Sequence, residues 1–278
     1  MTQQVVFTLS ETRSGSTWLS YVLGTHPEGF HLGEFYRPFT MAGHSICRLC
    51  EARGLAQCEI LHGLERLDPA QAFEQAFARS GANLLSDCSK QIDWCNRVLP
   101  ARSFDVRFIH LVRDPRGWFF SEQRRNPMSL EQGVERWSSH FHATQAYLQQ
   151  IGQPHLVLSY DELCLDPTQG LKKLSAFLGV RYGIEHYETW TKAHHGLGGN
   201  GAAYNNLAGI APEAVNSADP TFYAERRETV FYDQRWLQSA FADELKGVTT
   251  DPRARSIMNA SGFSMEQITQ SLECREAP

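Results

Sequence analysis

The chain predicts an α/β protein of three layers, with helices on both sides of a central parallel sheet. Two observations carry that prediction. Short apolar runs alternate with helical patterns along most of the sequence, and such alternation favours parallel strands joined by crossover helices. Two of those runs, Val5–Leu9 and Val106–Val112, end in the same kind of corner: Arg13-Ser14-Gly15-Ser16-Thr17-Trp18 follows the first, and Arg113-Asp114-Pro115 follows the second. Each corner reads as a strand, a tight turn and the start of a helix.

After the opening strand, a helix is expected over 17–24. A strand over 83–86 and the strand over 106–112 come next. Pro115 suits the first position of a helix over 115–124, because its missing N–H is not needed there. A helix over 130–149, a strand over 155–158 and a helix over 167–178 complete the regular part, with Gly179 as the stop signal. Beyond Thr191 the pattern loosens into a Gly/Asn/Ala-rich stretch over 194–214. Residues 225–245 read as helical, and the tail from Thr249 as polar with little core signal. There is no internal repeat.

At 278 residues, with 42% hydrophobic and 21% charged side chains, the chain is expected to form one soluble α/β domain, 1–278, with a Cys-rich insertion around 41–67. Net charge is 26 − 31 = −5, so no global basic field points to nucleic acid. The cations are uneven: seven Arg (97, 102, 107, 113, 116, 124, 125) stand against Asp105, Asp114 and Glu122 between Arg97 and Arg125. No apolar stretch reaches the ~18 residues of a membrane span. The first strand lies so close to Met1 that no signal peptide is expected, and the expectation is a cytoplasmic protein.

The corner at Arg13 has the makings of an anion cradle. The first N–H groups of the helix face the turn, the helix dipole is positive there, and Ser16 and Thr17 add hydroxyls. Gly15 lets the backbone approach an anion with no Cβ in the way. No Gly-Lys-Ser/Thr follows, so this is not a nucleoside-triphosphatase loop. Its cation, Arg13, precedes the turn instead of following it. Arg113 stands at a strand's C-terminal end, where open α/β sheets bind ligands, and Ser121 follows eight residues later.

Together these residues resemble the sulfotransferases that use 3′-phosphoadenosine 5′-phosphosulfate (PAPS), which have a P-loop NTPase-like fold. Arg13-Ser14-Gly15-Ser16-Thr17-Trp18-Leu19 matches that family's 5′-phosphosulfate loop, and Arg113 with Ser121 matches its 3′-phosphate element. Leu111-Val112-Arg113-Asp114-Pro115-Arg116 is close to the carbohydrate-type version. Ser159-Tyr160-Asp161-Glu162-Leu163 looks like the segment whose Tyr lies against the adenine. The resemblance implies PAPS as donor, PAP as product, and a hydroxyl (less readily an amine) of a carbohydrate or small molecule as acceptor. A sulfuryl group carries less charge than a phosphoryl group, which agrees with fixed cations in place of Mg²⁺.

The same resemblance implies further site residues. Gly199-Asn200, within His195-Gly196-Leu197-Gly198-Gly199-Asn200, is similar to a segment that closes over the nucleotide. The Arg that often follows it is replaced by Ala202-Ala203-Tyr204, which leaves Arg226 and Arg227 as candidate cations. His31-Leu32-Gly33-Glu34 resembles the segment whose Glu faces the acceptor, so Glu34 is the expected proton acceptor and His31 the alternative. Lys90 matches, more loosely, a Lys that assists the bridging oxygen as sulfate departs.

Seven cysteines in a chain expected to be cytoplasmic argue against a disulfide framework. Cys47-X-X-Cys50, Cys58 and His62 fall in one insertion, and that donor set suits a structural Zn²⁺, with His44 able to replace His62. Two other functions remain open at the level of sequence. One is a P-loop-type phosphotransferase (kinase) with Asp114 on Mg²⁺, and the other is a nucleotide-binding protein without catalysis.

Overall fold

A computed structural model describes residues 2–41, 47–206 and 219–276. In chain order the elements are β1 (Gln4–Leu9), α1 (Ser16–Thr25), β2 (Gly29–Gly33), α2 (Arg37–Thr40), α3 (Arg48–Ala52), α4 (Pro69–Ser80), β3 (Leu84–Asp87), α5 (Ile92–Val98) and β4 (Asp105–Val112). There follow α6 (Pro115–Gln123), α7 (Leu130–Ile151), β5 (His155–Ser159), α8 (Tyr160–Leu165), α9 (Pro167–Leu178), α10 (Pro220–Ala224), α11 (Ala242–Gly247), α12 (Pro252–Ala260) and α13 (Met265–Glu276). The chain is α/β with a five-stranded parallel central sheet of order β2-β3-β1-β4-β5. β1 and β2 flank β3, with Val5 opposite Leu85 and Phe30 opposite the same residue.

The chain forms two compact units. Unit one comprises 1–9, 16–108 and 185–230, and unit two comprises 10–15, 109–184 and 231–278. β4 therefore starts in one and ends in the other. An aromatic cluster fills unit one: Phe7 stacks on Phe108 at 5.5 Å, and Phe73 meets Phe7, Phe35 and Trp94. In unit two Trp118, Phe119, Trp137 and Phe141 pack with Tyr232, Trp236, Ile257, Met258 and Ile268.

The local signals explain most boundaries. Asp114 caps α6 by accepting from the Arg116 N–H at 2.9 Å, with Pro115 at its first position. Ser129 and Gln132 close a capping box at the start of α7. α9 spans the expected residues and ends at Gly179, whose φ of 71° is the left-handed stop.

Three readings need correction. β2 was not expected, because its five residues begin and end in glycine, and glycine weakens a strand signal. Residues 225–245 are not one helix: Glu228 has a φ of 54°, and only the short turn Arg235–Gln238 and part of α11 are helical there. Here Tyr232 enters the core from irregular backbone and Trp236 from that short turn. The tail from Thr249 does carry core: α12 and α13 bury Ile257, Met258, Met265, Ile268 and Leu272 on one face each. No helix among the described residues is long and apolar enough to cross a membrane.

Candidate active site

The strand order reverses at β1, which has β3 on one side and β4 on the other. Ligands of open α/β sheets bind beyond the strands' carboxyl ends at such a switch point. In unit two the segment after β1 and the end of β4 meet there. Arg113 donates from Nη1 to the Arg13 carbonyl at 2.9 Å, and its guanidinium lies 5.1 Å over the Tyr160 ring.

Arg13 itself has a φ of 67°, a left-handed conformation that is strained for a side chain bearing a Cβ. The Arg113 bond holds that turn in place. Arg13 Nε lies 4.0 Å from Glu122 Oε2, the outer limit of an ion pair, and Glu122 also accepts from Arg136 at 3.0 Å and Asn126 at 2.7 Å. Gly15 is glycine for two reasons. Its φ is 90°, and a Cβ there would come within 2.4 Å of the Tyr160 ring. The second reason is invisible in the motif.

Arg113 is 7% exposed, and its Nε–H has no hydrogen-bond partner among the described residues. An orphaned buried guanidinium donor needs an explanation, and an anion is the natural one. Gly117 leaves room beside it: a Cβ there would be 3.3 Å from both Nε and Nη2 of Arg113. Ser121 is one helical turn beyond Gly117 on α6, so it shares the face turned toward Arg113. The arginine excess around it resolves into separate uses. Arg116 is taken by Asp114, while Arg97, Arg124 and Arg125 are exposed. Asp114 accepts from Arg116 at both of its oxygens and is fully buried, so it is not presented as a Mg²⁺ ligand.

Unit one holds the other candidates. Ser16 and Thr17 open α1 and are buried; Trp18 packs edge-on to Tyr187 at 5.0 Å. The Asn200 N–H donates to Thr17 Oγ1 at 3.2 Å, and Gly199, with φ 103°, lies against the same side chain. Glu34 sits between two cations. Lys90 Nζ donates to Oε1 at 2.9 Å, and Arg37, which sequence reasoning did not single out, donates to Oε2. Burial alone would raise the Glu34 carboxyl, but Lys90 and then Arg37 outweigh it and hold its pKa below the ordinary value. Burial likewise works against the Lys90 ammonium, yet Cys88, Glu34 and Asp87 raise its pKa. Lys90 has a φ of 63°, so the two expected catalytic cations are also two of the three non-glycine residues with left-handed backbone among those described.

His31 is placed differently from the expectation. It is 1% exposed, its Nδ1 is 2.7 Å from Ser20 Oγ, and a Cβ on Gly196 would fall 2.4 Å from its Nε2. Burial, then His194, pushes its pKa well below the usual imidazole value. Its Nε2, like the Arg113 Nε, has no hydrogen-bond partner among the described residues. Of the candidate cations after Asn200, Arg226 lies 3.9 Å over Phe222, and Arg48 lies 5.7 Å over Tyr204.

The cysteine cluster forms with a different histidine. Cys47, Cys50 and Cys58 gather around His195, all four ligand atoms within 4.8 Å of one another. His62 is exposed on the segment after Cys58 and is not in the group. His44 lies outside the described residues. No spacing rule could have found His195, which is 137 residues from Cys58.

Among solved structures the chain is similar to the sulfotransferase domain from the curacin biosynthetic pathway, at 16% identity, with 94% of this chain and 98% of that one covered and a TM-score of 0.59. The sulfotransferase domain from the Synechococcus PCC 7002 olefin synthase aligns at 17% identity over 100% of this chain and 96% of that one, with a TM-score of 0.43. No curated protein matches the sequence significantly. A family model described as the sulfotransferase family matches residues 5–183, well over half of the chain. The chain belongs to the sulfotransferase family.

Proposed function

We propose that residues 1–278 act as one sulfotransferase domain that moves a sulfuryl group from PAPS to a hydroxyl, or less readily an amine, of a carbohydrate or small-molecule acceptor, releasing PAP. The observation that carries this reading is Arg113: a buried guanidinium that braces the loop at Arg13 and keeps one donor unmatched. That orphan donor fits a 3′-phosphate. Arg113 and Ser121 are the proposed clamp for it, and Tyr160 the proposed partner of the adenine. Arg13, Ser14, Gly15, Ser16, Thr17 and Trp18 form the proposed 5′ loop, with Gly199 and Asn200 beside Thr17.

When bound, PAPS supplies the sulfuryl group. The chain's own residues supply position, charge and a proton acceptor. Arg13 presents a planar fork of donors, and the start of α1 presents backbone N–H groups. Glu34 is the proposed acceptor of the hydroxyl proton. Lys90 and Arg37 keep it ionised and therefore in accepting form at neutral pH, at some cost in basicity. Lys90 is the proposed donor toward the bridging oxygen. The proposal also includes a structural Zn²⁺ on Cys47, Cys50 and Cys58, with His195 in the place first given to His62.

Thermal-shift binding tests the donor. PAP should stabilise the protein without Mg²⁺, whereas stabilisation by ATP only with Mg²⁺ would favour a phosphotransferase. The closed Asp114–Arg116 pair argues against that second reading. Turnover of labelled PAPS over a panel of acceptors separates an enzyme from a nucleotide-binding protein without catalysis.

A further inference from the structure

Residues 195–200 form a single run that joins three places in unit one. At one end His195 Nδ1 faces Cys47, Cys50 and Cys58 Sγ at 3.7, 3.5 and 3.4 Å. In the middle, Leu197 pairs with two segments at once. Its N–H donates to the Leu32 carbonyl at 2.9 Å, its carbonyl accepts from the Glu34 N–H at 2.6 Å, and it bridges to Cys47 as well as to Gly33. Gly33 must be glycine, since a Cβ would fall 2.2 Å from the Leu197 carbonyl oxygen. Gly198 then passes the Glu34–Arg37 pair, where a Cβ would be 2.9 Å from Oε2, and Asn200 reaches Thr17.

The geometry of the cysteine end is that of an ion's coordination shell. A tetrahedral Zn²⁺ with Zn–S of about 2.3 Å and Zn–N of about 2.0–2.1 Å sets each S···N edge at about 3.5–3.6 Å. The three observed separations bracket that value. None of the three cysteines is in a disulfide. Three soft thiolates with one imidazole select Zn²⁺ over the harder divalent ions.

We infer that Cys47, Cys50, Cys58 and His195 bind one Zn²⁺ that acts as a clasp, fixing the 195–200 run and through it the positions of Glu34 and Thr17. The metal-site part stands on its own, while the effect on turnover rests on the sulfotransferase reading. On binding, the three thiols lose their protons to solvent, and His195 gives the lone pair of Nδ1 while keeping its proton on Nε2. The ion closes a loop of well over a hundred residues between Cys58 and His195. Its binding energy is therefore also folding energy for the insertion and the run.

The test uses the intact chain. Elemental analysis should give about one Zn²⁺ per chain. Replacement by Co²⁺ should show the thiolate charge-transfer and ligand-field bands of a tetrahedral site. His195→Cys, which keeps four donors, should retain zinc, whereas His195→Gln should lose it, and His62→Ala should keep both zinc and turnover. Chelation should lower amide-exchange protection over 195–200 by tenfold or more, on the order of a released local segment. It should also reduce turnover on the order of a hundredfold, the effect of a ~1 Å misplacement of reacting groups, and re-added zinc should restore it. A protein without zinc, with iron in its place, or with unchanged exchange over 195–200 after chelation overturns the clasp. A zinc-loaded protein that shows the exchange effect but binds no PAP overturns the donor reading alone.

Discussion

Arg113 and Arg116 are two buried arginines on the same corner of unit two, three residues apart, and they are used in opposite ways. The Arg116 fork is closed by its own chain. Nε and Nη2 bond both Asp114 oxygens, Nη2 reaches the Met265 carbonyl, Nη1 reaches Thr269, and the guanidinium lies 4.7 Å over Trp236. The Arg113 fork meets a carbonyl and an aromatic face but no carboxylate in an ion pair among the described residues, and its Nε is unmatched. A buried arginine answered by an acid is structure. One left partly unanswered is a candidate for a ligand, because an unmatched buried donor is expensive unless something else completes it.

The largest expected effect tests the closed member. Arg116→Ala leaves Asp114 buried and uncompensated, so urea unfolding should show a loss of about 3–5 kcal/mol. PAP affinity of the remaining folded protein should change little. A stability loss under ~1 kcal/mol would mean that the pair is solvated in practice and that the comparison fails.

Arg113→Ala tests the open member and should do the reverse. PAP affinity should fall by about 2–3 kcal/mol in calorimetry, the range for hydrogen bonds to charged groups, with a smaller change in unfolding free energy. Adenosine 5′-phosphosulfate, which lacks the 3′-phosphate, sharpens the result. It should lose less, since only the brace on the Arg13 carbonyl is gone. Equal losses for the two ligands would reduce Arg113 to a prop for the loop.

Glu34 in unit one is an acid between two cations, closed on both oxygens yet beside the 195–200 run. Glu34→Gln should lower kcat on the order of a hundredfold if it accepts the proton, with PAP affinity unchanged. A kcat within a few-fold of normal would make Glu34 only the counter-ion that orients Lys90.

How far the sequence could be read follows from where each signal resides. The Arg13–Trp18 corner, β4 and the Arg113–Pro115 corner are local, and apolar runs ending in Gly or Pro mark them on the page. Arg37 is only three residues from Glu34, and a turn between β2 and α2 brings the two together. The core face of α13 was there too, in the spacing of Met265, Ile268 and Leu272, but polar neighbours dilute it. His195 and the contact of Tyr160 with Gly15 could not have been found, because both depend on chain segments more than a hundred residues apart. Long-range partners leave no periodicity.

Asp87 is the acid counterpart of Arg113 and should give the smallest effect. It is fully buried and answered by neutral donors, accepting from the Trp94 Nε1–H at 2.8 Å and the Ser89 N–H at 2.7 Å. Burial raises its pKa to about 6, with the Ser89 and Trp94 bonds and the Lys90 charge only partly opposing it. An acid whose folded pKa lies above its unfolded value binds its proton more tightly in the fold. Its ionisation therefore weakens the fold as pH rises between the ordinary aspartate value of 3.8 and about 6, and that penalty is complete above this window. Glu34 has the opposite sign: its pKa is depressed, so its contribution is present above the unfolded value and is lost as pH falls through the folded one. On lowering the pH from neutral toward about 5, unfolding free energy should gain a small increment from Asp87 before Glu34 begins to titrate. Asp87→Asn should abolish that increment and leave the acid-side loss from Glu34 in place. If the wild type and Asp87→Asn run parallel through this window, Asp87 is ionised in the fold as an ordinary carboxylate, and burial without an ion-pair partner is not what distinguishes it.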